Sequence, residues 1–163
     1  TAQLIRDFGA VQSPVNAYLL NLGLESLPVR MKRHCENALK LAEFLEANDK
    51  VSWVEYPGLP SNKYYERAKK YMPEGTCGVI SFGVKVGRKA AEEFMKHLKV
   101  AIIATHVADA HSCVLHPASS THRQLSDEEL VAAGVAPDLV RFSCGIENIE
   151  DIIEDVSKAL ESI

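Results

Sequence analysis

The fold of this chain is indicated most clearly by the stretch Leu139-Val-Arg-Phe-Ser-Cys-Gly-Ile-Glu147 and the segment that follows it. Its first six residues alternate in character, which places Val140, Phe142 and Cys144 on one face of a strand and Arg141 on the other. In the next segment apolar residues recur at helical spacing: Ile149, Ile152, Ile153, Val156, Leu160 and Ile163. The pattern predicts a strand with one buried face and an amphipathic helix that packs against it.

The rest of the chain predicts further elements of both kinds. Apolar runs and turn residues predict strands over 51–56, 78–86, 100–104 and 112–115, besides the strand over 139–144. Helices are predicted over 14–27, 28–48, 61–72 and 88–98, and after the capping pattern Ser126-Asp-Glu-Glu129. We therefore expect an α+β fold: a small, mostly antiparallel sheet of four or five strands, covered by helices on one face and preceded by long helices.

Length and composition limit the classes of protein to which the chain can belong. With 163 residues, 47% of them hydrophobic, it can form one core. Its net charge of −4 and scattered basic residues give no reason to expect nucleic-acid or membrane partners. No apolar run approaches the roughly 20 residues that span a bilayer, and the start lacks a signal-peptide pattern, so we expect a cytoplasmic protein.

Several common functional sites are not predicted. The glycines form no phosphate-binding loop, and Ser119 and Ser120 lie in no nucleophile motif. The six histidines share no metal-binding spacing, so no metal site is expected. The four cysteines are widely spaced in apolar patterns and are interpreted as reduced core thiols.

Arg141 is the candidate binding residue. A guanidinium in an otherwise apolar strand is unfavourable unless an anion such as a carboxylate completes its hydrogen bonds. Taken alone, Arg141 is also consistent with an edge-strand or ion-paired arginine. The alternation leaves its face free to line a cleft.

Four blocks of sequence resemble a known family. They are residues 13–34, Val54-Glu-Tyr-Pro-Gly58, His116-Pro-Ala-Ser-Ser-Thr-His-Arg-Gln-Leu125 and Leu139–Glu147. In this order they resemble the C-terminal part of the pyridoxal phosphate-dependent enzymes of cysteine and methionine metabolism, which have the type I fold. Within that family the O-acetylhomoserine sulfhydrylases are the most similar.

The resemblance implies roles for particular residues. The arginine that Arg141 matches binds the α-carboxylate of the substrate, and the threonine that Thr121 matches lies in the same pocket. His106 stands where relatives carry serine or asparagine near that carboxylate. The neighbouring residues 107–110 replace a stretch that more often contains glycine. The resemblance assigns no catalytic residue to this chain.

The resemblance also implies what the whole protein contains. Residues 1–48 are expected to be a helical segment that links to an upstream large domain, which makes most of the contacts with pyridoxal phosphate. Residues 49–163 are expected to form the small substrate domain. The Schiff-base lysine of the family lies upstream, so the chain alone is expected to be inactive. The partners implied are O-acetylhomoserine, sulfide or a thiol, the upstream large domain, and further copies in a homotetramer.

Three alternatives remain open. Cystathionine γ-synthase and methionine γ-lyase share the anchoring arginine and differ in the nucleophile or in the fate of the intermediate. An alternative from another class is a non-catalytic module that binds an amino acid through Arg141.

Overall fold

The computed structural model describes residues 2–163, which divide into two compact units, one ending at Arg30 and the other spanning Met31–Ile163. The first unit contains α1 (Ala2–Phe8) and α2 (Pro14–Glu25). The Ser13 hydroxyl caps α2 by accepting a hydrogen bond from the Asn16 amide, as the Ser-Pro pair predicts. Neither helix buries a residue, although both are rich in apolar side chains.

The second unit contains the sheet. Helix α3 (Leu27–Glu46) begins just before the first residue of this unit. Ten elements follow it in chain order: β1 (Val51–Glu55), α4 (Tyr65–Tyr71), β2 (Val79–Val84), α5 (Arg88–His97), β3 (Ile102–Ile103), β4 (Cys113–Leu115), a 3-10 turn (Pro117–Ser119), α6 (Asp127–Ala132), β5 (Leu139–Ser143) and α7 (Ile149–Glu161). None of the helices described is long and apolar enough to cross a membrane.

The five strands form one mixed sheet in the order β1-β2-β5-β4-β3. The pairs β1–β2, β2–β5 and β5–β4 are antiparallel, whereas β3 and β4 are parallel. The predicted α+β fold with a mostly antiparallel sheet is therefore confirmed. Strand β5 lies at the centre, so its side chains are flanked by neighbouring strands on both sides.

One face of the sheet supports the hydrophobic core. Alternate residues of the central strands, Ile80, Phe82, Val114, Val140 and Phe142, are fully buried in one cluster with residues of α3, α5 and α7. The rings of Phe82 and Phe94 meet edge to face at 5.8 Å between centroids. The amphipathic stripe predicted for α7 accounts for this packing, since Ile149, Ile152, Val156 and Leu160 are all buried.

Some local predictions were wrong. The helix predicted over 61–72 begins only at Tyr65, because a turn precedes it in which the Asn62 side chain accepts a hydrogen bond from the Tyr64 amide. Val86, the last residue of the strand predicted over 78–86, lies beyond β2 with a φ of 76° and is 94% exposed. In α3 the buried face includes two polar residues that the apolar pattern does not reveal, His34 and Asn37.

The division into a lead-in over 1–48 and a domain over 49–163 stays a prediction. The part of α3 from His34 onward supplies core residues to the second unit, among them Ala38, Leu41 and Leu45.

Candidate functional site

Arg141 lies at the centre of the sheet, on the face opposite to the hydrophobic core. In β5 it pairs directly with Ser81 of β2 on one side and with Leu115 of β4 on the other. Its neighbours in sequence, Val140 and Phe142, point into the core. The alternation in the sequence therefore places this guanidinium correctly.

The hydrogen bonds of Arg141 are incomplete. Its Nη2 donates to the carbonyl oxygen of Thr105 at 2.9 Å and approaches that of His106 at 3.5 Å. Its Nε is buried and has no acceptor among the described residues. No carboxylate of residues 2–163 forms an ion pair with it. A planar cation with free donors and no anionic partner is suited to binding a carboxylate.

The carbonyl that accepts the Nη2 hydrogen bond belongs to the segment between β3 and β4. We call residues 105–110 of this segment the 105–110 loop. The buried Ser143 hydroxyl accepts a hydrogen bond from the Ala108 amide at 3.1 Å, and the Ala110 carbonyl accepts one from the Ile146 amide at 2.9 Å. Arg141 and Ser143 project from the same face of β5. Strand β5 and the turn after it thus hold the loop at three points.

The electrostatics of the loop depend on Asp109. Its carboxylate accepts a hydrogen bond from the His111 amide at 3.0 Å, and this bond lowers the pKa of Asp109, helped by the nearby His111 and His106. The loop thus carries a fixed negative charge beside two histidines.

The sequence predicted three site residues, Arg141, His106 and Thr121, and the structure gives them different contacts. His106 meets Arg141 through its backbone carbonyl, and His106 itself is exposed. Thr121 is exposed in the turn region after the 3-10 turn, where its hydroxyl hydrogen-bonds Nδ1 of His122 at 2.9 Å. No hydrogen bond among the described residues joins Thr121 to Arg141. The structure thus brings the His106 backbone to Arg141, and Thr121 is hydrogen-bonded to His122 instead.

His116 organises the turn that leads to Thr121. It is 1% exposed, and its Nε2 lies 2.9 Å from the carbonyl oxygen of Pro137, which can only accept, so Nε2 carries the proton. In the neutral ring Nδ1 then accepts from the Ser119 hydroxyl at 2.8 Å. Arg88 adds a bond from Nη2 to the Ala118 carbonyl at 2.6 Å.

His116, Arg88 and Ser143 were not predicted from the sequence to have a role in the site. For Ser143 a signal was present, since it shares the face of Arg141 two residues away. Arg88 lies in another helix, and nothing in the local sequence indicates its contact with the turn.

The cysteines, interpreted from the sequence as reduced core thiols, comprise two that are buried, Cys113 and Cys144, and two that are half-buried, Cys35 and Cys77. All four cysteines are free, and no group of three or more potential metal ligands occurs among the described residues. Burial raises the pKa of Cys144 and of Cys113. These two side chains are therefore neutral thiols at neutral pH.

The family is decided by comparison with known proteins. The family model described as "Cys/Met metabolism PLP-dependent enzyme" matches residues 1–161. The chain belongs to this family.

Members of the family with curated names are similar over nearly the whole chain. The O-acetyl-L-homoserine sulfhydrylase of Leptospira meyeri is 46% identical over 99% of the chain, and the homocysteine synthase of Schizosaccharomyces pombe is 46% identical over 98%. In both cases the chain covers 37% of the length of the relative. The chain thus spans little more than a third of these family members.

A solved structure from the same family has the same fold. It is described as an O-acetylhomoserine (thiol)-lyase from Campylobacter jejuni and contains N'-pyridoxyl-lysine-5'-monophosphate. The superposition gives a TM-score of 0.87 at 40% sequence identity, and it covers 96% of this chain and 37% of that one.

Proposed function

We propose that the whole protein is a pyridoxal phosphate-dependent O-acetylhomoserine sulfhydrylase, and that this chain contains the residue that binds the α-carboxylate of its substrate. The observation that carries the proposal is Arg141, a guanidinium at the centre of the sheet whose buried Nε has no acceptor among the described residues. The sulfhydrylase and homocysteine synthase names of relatives at 46% identity support the choice of substrate.

The donor set of this site fits the substrate rather than the cofactor. The orphaned Nε and the outer guanidinium nitrogens form a planar fork, which matches the two oxygens of a carboxylate. Pyridoxal phosphate, when bound, supplies an electron sink for proton removal beside the amino group of the substrate. We propose that an upstream segment holds this cofactor and the lysine to which it is attached.

The residues around Arg141 orient the substrate. A bidentate pair between guanidinium and carboxylate fixes both the position and the rotation of the amino acid. We propose that the His106 and Thr121 side chains line the same pocket. His106 is supported by its backbone contact with Arg141. Thr121 is supported by its place after β4, the strand that pairs with Arg141 through Leu115.

We also propose partners for the apolar helices of the first unit. The exposed apolar side chains of α1 and α2 include Phe8, Val15, Tyr18 and Leu24. In the proposal, an upstream large domain and further copies in a homotetramer cover these side chains. The free thiols are consistent with a protein that works in the cytoplasm.

The proposed reaction is tested with the full-length protein of the gene, loaded with pyridoxal phosphate. Incubation with O-acetylhomoserine and sulfide is expected to give homocysteine and acetate, detected by mass spectrometry. Faster formation of cystathionine from added cysteine, or release of methanethiol from methionine, would favour cystathionine γ-synthase or methionine γ-lyase instead. Amino-acid binding without any turnover would favour the non-catalytic binding module.

A further inference from the structure

We propose that Ser143 is a positioning residue, which holds the 105–110 loop in the conformation in which Arg141 receives a substrate carboxylate. The inference rests on the proposed function of Arg141 and extends it to a second residue of the same strand. Ser143 is 1% exposed, and its hydroxyl oxygen accepts a hydrogen bond from the Ala108 amide at 3.1 Å.

Ala108 needs a restraint of this kind. Its φ of 58° lies in the left-handed region, and only one other described non-glycine residue, Val86, shares this feature. For an alanine this conformation is strained, since Cβ crowds the following carbonyl oxygen. A strained residue persists only where its surroundings hold it. Ser143 supplies the side-chain hydrogen bond that fixes Ala108 from the sheet.

The Ser143 bond is coupled to Arg141 through a short piece of backbone. Three residues before Ala108, the Thr105 carbonyl accepts from Nη2 of Arg141, and two residues after it, the Ala110 carbonyl accepts from the Ile146 amide. Without the central attachment the loop is held only at its ends. The Thr105 and His106 carbonyls then no longer fix the rotation of the guanidinium, and the exposed His106 moves with them.

The first test needs no ligand. Hydrogen exchange of the Ala108 amide is measured in the full-length protein for wild type, Ser143→Ala and a control, Ser157→Ala, which removes a hydroxyl bonded to Glu161 on α7. We expect Ser143→Ala to speed exchange at Ala108 by roughly fivefold or more, as loss of one hydrogen bond implies. The control is expected to leave it unchanged. Equal exchange in Ser143→Ala and wild type would overturn the proposal.

The second test separates positioning from a general effect on stability. Ser143→Ala is expected to raise KM for O-acetylhomoserine by roughly fivefold and to change kcat by less than about twofold. Adding Ala108→Gly to Ser143→Ala should lower KM most of the way back to the wild-type value, because glycine adopts a positive φ without strain. A KM that Ala108→Gly does not restore would contradict the role assigned to Ser143.

The two tests separate failure of this inference from failure of the proposed function. A wild-type protein that binds no amino acid overturns the proposed function, while the exchange of the Ala108 amide still decides whether Ser143 holds the loop.

Discussion

Glu147 and Ser112 are joined by two hydrogen bonds. One carboxylate oxygen of Glu147 accepts from the Ser112 amide at 2.6 Å, and the other accepts from the Ser112 hydroxyl at 3.0 Å. The same hydroxyl accepts from the Gly145 amide at 2.9 Å. This pair fastens the turn after β5 to the segment that enters β4, so it fixes one end of the 105–110 loop.

We predict that Glu147→Ala destabilises the fold by about 1–3 kcal/mol, because it leaves the buried amide and hydroxyl of Ser112 without acceptors. Urea denaturation measures the change in the free energy of unfolding. Glu66→Ala is the matched control, since Glu66 is exposed and only loosely paired with Lys69 at 3.9 Å. Equal stabilities of the two variants would show that the Glu147–Ser112 pair contributes nothing.

Gly145 is predicted to tolerate no side chain. A Cβ there would collide with the Ala110 carbonyl oxygen and would lie 2.5 Å from the Ser112 amide nitrogen, and both are backbone atoms that cannot turn aside. Gly145→Ala should therefore lower the free energy of unfolding by about 1–3 kcal/mol.

The control for Gly145 is a glycine with room around it. Gly23 lies inside α2, and a Cβ at this position would meet no atom within 4 Å, so Gly23→Ala should stabilise the chain by about 0.5–1 kcal/mol. Thermal denaturation of both variants checks the opposite signs. Stabilisation by Gly145→Ala would contradict the backbone contacts described.

Asp155 is predicted to be required for the entry into β3. Its buried carboxylate accepts hydrogen bonds from the amides of Lys99, Val100 and Ala101 at 2.8, 2.9 and 3.2 Å. Asp155→Asn replaces one acceptor oxygen by an NH2 group that faces these donors, and we expect a loss of about 1–3 kcal/mol.

Glu154→Gln is the control for Asp155, because Glu154 is exposed on the same helix and pairs only with Lys158 among the described residues. It should change the free energy of unfolding by less than about 0.5 kcal/mol. Urea denaturation measures the free energy of unfolding of the two variants in parallel. An Asp155→Asn variant as stable as Glu154→Gln would refute the prediction.

The stability of the fold is predicted to decrease at alkaline pH. Burial raises the pKa of Cys144 and of Tyr56 above their ordinary values of 9.0 and 10.0. The unfolded chain therefore loses these protons first. The stabilisation is complete below the unfolded pKa and is lost as pH rises toward the folded pKa.

Urea denaturation at about pH 7 and about pH 10 tests this dependence, since the interval spans the unfolded pKa of a thiol. Cys144→Ala is expected to lose less stability than wild type between the two conditions, because the titrating thiol is gone. A wild-type protein with equal stability at both would contradict the prediction.

The sequence predicted those features that depend on regular patterns. The alternation in β5 placed Arg141 on the face away from the core, and the apolar stripe of α7 identified the helix that covers the sheet. The capping box at Ser126 and Glu129 is present as predicted. In each case the signal lies within a few consecutive residues.

Features that depend on distant partners were not predictable in this way. His34 and Asn37 are buried in α3 because they bond the carbonyls of Cys144, Gly145 and Glu147, more than 100 positions away. The parallel pairing of β3 and β4 and the left-handed Ala108 also depend on tertiary contacts. A polar residue in an apolar pattern indicates a partner but does not identify it.

Binding of the substrate carboxylate by the Arg141 guanidinium is tested by measuring kcat/KM of the full-length protein for O-acetylhomoserine in wild type and in Arg141→Lys. Lysine keeps the charge but lacks the fork, so we predict a loss of roughly 10- to 100-fold. Arg67→Lys, at an exposed position over the Tyr64 ring, should stay within about twofold of wild type. An Arg141→Lys variant with wild-type kcat/KM would show that the guanidinium does not bind the substrate carboxylate.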